Sequence, residues 1–192
     1  KEGFTWTALT IADFNVRYMP YGCIFDAKGS SGFISKDVDV RYFIGLCNSK
    51  VAMEYLSFLA PTMDYNAGAV GKLPVLIDDE KIDEINKLVD ECISISRDDW
   101  DAFEISWDYK KSPLIRDTRL ISEAYCQWSE ECDKRFSKLK ENEERLNDIF
   151  IRMYGFESIV DASVKEEDVT VRKADLKREI KGLISYAVGC MF

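Results

Sequence analysis

The feature that most restricts how this sequence can fold is one helical pattern running unbroken from Arg119 to about Tyr154. Tyr125, Cys132, Leu139, Leu146 and Met153 recur every seven residues, flanked by Ile121, Trp128, Phe136 and Ile149. Arg135 and Asn142 interrupt the second seam. The spacing therefore predicts a long helix with one strong apolar stripe, a structural spacer or interhelical contact rather than a full zipper. At ~1.5 Å per residue it would reach ~50 Å, longer than a compact domain of this size. Gly155 is placed to stop it.

The rest of the chain divides around Asp78. Before it the reading is a small mixed lobe. Thr5-Trp6-Thr7 and Val16 to Met19 favour strands, Met19-Pro20-Tyr21-Gly22 a type I turn, and Cys23 to Phe25 a second strand. Ala27 to Gly32 reads as an exposed interaction loop with two hydroxyls and a cation. Asp39 caps a helix over 40–47 that Asn48 closes, and Ser49 caps the next until Pro61 forbids continuation. Asn66-Ala67-Gly68 reads as a turn and Leu73 to Ile77 as a buried strand.

After Asp78 the pattern is helical. Ile82, Ile85, Leu88, Val89, Cys92 and Ile93 share a face, and Trp100, Phe103 and Trp107 at i, i+3, i+7 predict a packed helix. A final helix spans roughly Ala174 to Val188. The expectation is an α+β chain, with a lobe over 1–77 and a helical lobe over 78–192.

Composition then removes function classes. There is no histidine, which excludes Ser-His-Asp and Cys-His nucleophiles, His-ligated zinc and most neutral-pH proton shuttles. The six cysteines show no CxxC, as expected for reduced thiols in a cytoplasmic protein. No apolar run approaches the ~20 residues that cross a bilayer. The net charge of −9 is uneven. Residues 1–77 carry seven Lys/Arg and seven Asp/Glu; residues 78–112 carry five and twelve.

Asp98, Asp99 or Asp101 with Asp108-Tyr109-Lys110 loosely imitates a metal-dependent nuclease, but acids are frequent there and the aromatic spacing favours a packed helix. Trp100 and Trp107 could stack on bases, yet the flanking aspartates repel a phosphate backbone. Arg172, Lys173, Lys177, Arg178 and Lys181 form a basic cluster, either a solvated helix face or a phosphate contact. No GxxxxGK[ST] or GxGxxG is present, so Gly29-Ser30-Ser31-Gly32 is no nucleotide cradle. With a lysine at its start and an abrupt Cys190-Met191-Phe192 at its end, the sequence reads as an excised piece of something longer. Residue chemistry alone gives an interaction module without a visible catalytic site.

Specific combinations go further. Arg17-Tyr18-x-Pro-x-Gly22-x-Ile24-Phe25-Asp26-x-x-Gly29-Ser30-Ser31 is followed by Gly45-Leu46-x-Asn48-Ser49-Lys50-Val51-Ala52. Pro61-Thr62-Met63-Asp64-Tyr65-x-x-Gly68 then leads into Lys72-Leu73-Pro74-Val75. Together these resemble the target-recognition region of large adenine-N6 DNA methyltransferases of the PglX type, from BREX phage-defence systems, and more distantly type IIG restriction-modification enzymes. The run Asp99 to Tyr109 is similar to a D-W-D-S-F-E-T-S-W-D-F run of that family, with Ala102 and Ile105 in place of Ser and Thr. Asp168 to Lys177 and Leu183 to Phe192 carry the resemblance to the end, and Asp64 stands where Asn is usual.

The resemblance implies an internal fragment, incomplete at both ends and non-catalytic by itself. The family's Asn-Pro-Pro-Tyr and S-adenosylmethionine motifs belong upstream and do not occur here, so the segment has no cofactor of its own. It implies double-stranded DNA and the chain's own upstream methyltransferase domain as partners. Candidate DNA-contacting residues are Asn15, Arg17, Lys28, Ser30 and Ser31, with Lys36 behind them; the serines and Lys50 or Lys72 suit phosphate. Arg17 is the candidate for a bidentate guanine contact. The rival expectation is a protein-interaction module that docks the catalytic domain or other phage-defence proteins.

Overall fold

The computed structural model describes residues 1–11, 13–26, 29–35 and 38–192. Among them the architecture is α+β, with a small antiparallel sheet, six α-helices and one much longer than the rest. The elements are β1 (Gly3–Thr7), β2 (Arg17–Met19), β3 (Gly29–Gly32), α1 (Val40–Cys47), α2 (Lys50–Leu59), α3 (Ala67–Val70), α4 (Ile82–Asp101), α5 (Ile121–Tyr154) and α6 (Leu176–Gly189). A 3-10 turn covers Glu166–Asp168.

The chain folds into two compact units, each built from two stretches of sequence. One comprises Lys1–Asp90 with Asn142–Ser163; the other comprises Glu91–Glu141 with Val164–Phe192. Both α4 and α5 contribute residues to each.

In the first unit the sheet order is β2-β1-β3, with both neighbours antiparallel to β1. Phe4 and Trp6 of β1 are buried. Phe4 lies 4.7 Å from the ring of Phe43 on α1, and Phe14 packs between Trp6 and Tyr65. Trp6 Nε1 donates to the Tyr65 carbonyl at 2.7 Å.

Two sequence expectations fail here. Cys23 to Phe25 is an exposed connection, not a strand, and the supposed loop Gly29-Ser30-Ser31-Gly32 is β3. Glycine at 32 is what lets this polar run pair. The Phe4 ring lies across it, so a Cβ there would stand 2.1 Å from Phe4 Cζ.

The helix caps follow the sequence. Asp39 and Ser49 accept from the backbone N–H groups of Arg41 and Ala52, and Asn48 closes α1. Asn66 also caps: its Oδ1 accepts from Ala69 N at 3.0 Å and starts α3 where a simple turn is expected. Gly45 admits close packing, since a Cβ would come within 3.0 Å of Val89 and 3.4 Å of Phe150.

Leu73 to Ile77 does not form the expected buried strand. Only Leu73 is buried. Two tyrosines, not a strand, satisfy its backbone. Tyr154 Oη donates to the Pro74 carbonyl at 2.6 Å and accepts from Leu76 N at 3.0 Å, while Tyr42 Oη donates to the Leu76 carbonyl at 2.8 Å.

In the second unit the heptad stripe of α5 becomes core. Phe136 and Leu139 pack with Val169, Val171, Cys92 and Ile95. Trp128 and Cys132 pack with Leu114, Phe103, Ile180 and Leu183. Arg135 interrupts the stripe without disrupting it, because its guanidinium stacks 4.5 Å from the Trp128 ring centroid.

The Trp100–Trp107 packed helix is not formed. The helix α4 ends at Asp101, and two turns follow, closed by Phe103 N to the Trp100 carbonyl and Ser106 N to the Phe103 carbonyl. Aspartates at a helix C-terminus oppose the macrodipole, and Asp101 captures the Ser106 hydroxyl at 2.6 Å. Phe103 alone of the three aromatics enters the core; Trp107 is fully exposed.

Candidate DNA-contact surface

Residues 13–17 alternate outward and inward. Phe14 and Val16 are buried, whereas Asp13, Asn15 and Arg17 are exposed. Asn48 fixes this alternation: its Oδ1 accepts from Val16 N at 2.8 Å and its Nδ2 donates to the Val16 carbonyl at 3.0 Å. One side-chain amide thus acts as a strand partner. It holds Val16 inward and leaves Asn15 and Arg17 on the outward side. The register then aligns Arg17 with Thr5 on β1, and Thr5 with Ser31 on β3. Arg17, Thr5 and Ser31 form a row across the sheet on the face opposite Phe4 and Trp6.

The other candidates scatter. Ser30 pairs with Trp6 and lies on the opposite face from Ser31. The Ser31 hydroxyl contacts Met19 Sδ and the Gly29 carbonyl, so it is partly spent inside the sheet. Lys50 Nζ donates to the carbonyls of Asp161 and Ser163 at 2.8 and 2.5 Å, fastening the segment after α5. Lys72, just beyond α3, is exposed, and Asn15 Nδ2 donates to the Asp13 carbonyl. Lys28 and Lys36 lie outside the described residues.

Elsewhere, charges that could have served a ligand are committed. Asp99 is buried and accepts from Arg172 N at 3.2 Å and Arg172 Nε at 2.9 Å. Lys173 pairs with Glu166 at 2.8 Å and Arg178 with Glu179 at 2.7 Å. Of the basic cluster, Lys177 and Lys181 are left exposed. One open hollow of about 440 Å³ is lined by Asp148, Arg152, Glu157, Asp161 and small or aliphatic residues. No helix of the described residues is long and apolar enough to cross a membrane.

No family model matches the chain. Individual proteins do. All of it aligns, at 37% identity, with the adenine-specific methyltransferase PglX of Lacticaseibacillus casei (strain Zhang). The adenine-specific methyltransferase BrxX of Escherichia coli O9:H4 (strain HS) aligns with 99% of it at 29% identity. The chain is homologous to a segment of PglX-type adenine-specific methyltransferases. It spans 16% of PglX and 17% of BrxX. The PglX-type match runs through both compact units, so the outward Asn15–Arg17 edge and the helical second unit both belong to the shared segment.

The sequence singled out Arg17 but missed what positions it. The double bond from Asn48 to Val16 joins residues 32 apart, and nothing local signals it. Asn48 was legible only as a helix stop.

Proposed function

We propose that this chain is a target-recognition and spacer segment of a longer, cytoplasmic adenine-specific DNA methyltransferase, and is not catalytic by itself. The reading rests on the whole-chain likeness to two adenine-specific methyltransferases, and one structural observation carries it. The Asn48 clamp holds Asn15 and Arg17 outward beside a short, rigid sheet. Arginine offers a planar fork that pairs with guanine O6 and N7, and asparagine can pair with adenine N6 and N7, both in the major groove. Exposed Lys72 suits a phosphate.

In this reading the catalytic portion of the polypeptide binds S-adenosylmethionine, extrudes the target adenine and methylates N6. The present segment holds the surrounding duplex. It brings no positive field of its own, since residues 1–77 carry equal numbers of acids and bases.

The test is methylome sequencing with the full-length enzyme. Arg17→Ala should relax the motif at one base pair, equivalent to ~1–3 kcal/mol of lost discrimination, and Lys72→Ala should lower methylation at all sites alike. An unchanged motif in Arg17→Ala and Asn15→Ala, at wild-type efficiency, would overturn the assignment.

A further inference from the structure

The Asn48 clamp is itself held from a distance. Asn48 ends α1, and its own N–H meets the Ile44 and Leu46 carbonyls. Helix α2 begins at Lys50, so a shift of its N-terminus reaches Asn48 across a single intervening residue. The first backbone N–H groups of a helix have no partner within it, and here two side chains supply partners. Ser49 accepts from Ala52 N. Asn147 Oδ1, from α5, accepts from Lys50 N at 3.0 Å. Asn147 is only 5% exposed, and its Nδ2 donates to the Ala162 carbonyl at 3.2 Å. Lys50 Nζ fastens the same returning segment through the Asp161 and Ser163 carbonyls. Val16, Asn48, Lys50, Asn147 and Ala162 thus form one relay of side-chain-to-backbone bonds within the first unit. Arg17 follows directly on its Val16 end.

We propose that Asn147 is a positioning residue for base recognition, acting on Arg17 through the α1–α2 junction. The role rests on the reading of Arg17 as a contact to guanine. Bidentate pairing with O6 and N7 requires the guanidinium fork to be placed within a fraction of an ångström. Strand β2 cannot set that alone, being three residues long and at the edge of the sheet. The outward aim of Arg17 depends on Val16 staying inward, Val16 depends on the Asn48 amide, and Asn48 depends on where α2 starts. Asn147 is suited to fix that start. It is buried, bonded through both ends of its amide, and carried by a 34-residue helix.

Methylome sequencing and amide hydrogen exchange of the full-length protein test this, with Arg17→Ala as the reference. Asn147→Leu keeps the side-chain volume and removes both bonds. It should lower discrimination about fivefold at the base pair relaxed by Arg17→Ala, and at no other. Combined with Arg17→Ala it should add nothing further at that pair, because the two residues act in series. Exchange should quicken at the Lys50 and Val16 amides while the paired amides of β1 and β3 stay protected. Asn147→Asp keeps an acceptor for Lys50 N at a helix N-terminus, although its second oxygen opposes the Ala162 carbonyl. It should retain the motif and the protection of Val16. Methylation lowered at all sites with an unchanged motif, or protection lost throughout the first unit, makes Asn147 a plain stability residue and overturns the proposal. So does equal relaxation of the motif in Asn147→Asp and Asn147→Leu. An unchanged motif in Arg17→Ala overturns the DNA-contact reading itself, whereas a motif relaxed by Arg17→Ala and not by Asn147→Leu overturns the positioning role alone.

Discussion

The amide of Asn48 does at residue scale what a strand does elsewhere, giving Val16 both a donor and an acceptor. Asn48→Ala should leave both backbone groups unpaired in a partly buried setting and cost ~2 kcal/mol in urea denaturation. Asn48→Asp keeps the acceptor for Val16 N but sets a carboxylate oxygen against the Val16 carbonyl, and should cost at least as much. Gly32 is the second critical residue. A methyl group at 32 would collide with the Phe4 ring, so Gly32→Ala should destabilise by ~1–3 kcal/mol. Because the collision is with one side chain, Phe4→Leu should recover part of that loss, and a double-mutant cycle should show non-additivity.

At the scale of elements, α5 shows which forces the sequence discloses. Its stop is local: Gly155 adopts φ +68, a conformation that costs other residues ~1–2 kcal/mol, so Gly155→Ala should lower stability by about that amount. Its early turns are clasped by Arg116, whose Nη1 and Nη2 meet the Glu131 oxygens at 2.5 and 2.8 Å. That fork is the largest cause holding the Glu131 carboxyl below its ordinary 4.5. A depressed carboxylate stabilises the fold fully above its unfolded value and loses the contribution as pH falls through its folded one. Since the pair is half-exposed, Glu131→Gln should cost only ~0.5 kcal/mol at pH 7. The difference from wild type in thermal melts should vanish as pH drops below the carboxylate range.

The caps Asp39 and Ser49, the stripe of α5 and its glycine stop were all legible because each depends on neighbours a few residues away. The failures share the opposite property. Strand β3 depends on Phe4, the extended run at 74–76 on Tyr42 and Tyr154, and the end of α4 on Ser106 and the core that takes Phe103. Arg17 was legible as a candidate, but its setting depends on Asn48 and on register with Thr5 and Ser31. Periodicity carries no information about such distant partners.

For the whole molecule, charge limits what the proposed DNA-contacting edge could do unaided. With a net charge of −9, the proposed DNA-contacting role requires that non-specific attraction to duplex DNA come from outside this segment. Arg17→Ala combined with Lys72→Ala should therefore flatten the dependence of log K on log salt by at most ~2 of the full-length enzyme's slope, as anisotropy titrations would show. Interleaving of the two compact units has a practical consequence for engineering. The chain passes from one to the other after residues 90, 141 and 163, twice within a helix. A specificity swap that exchanges only residues 1–90 would cut α4 and leave behind residues 142–163, including the Phe150 that packs against Tyr42. Grafts between related proteins should exchange residues 1–90 together with 142–163, and leave 91–141 and 164–192 as a matched pair.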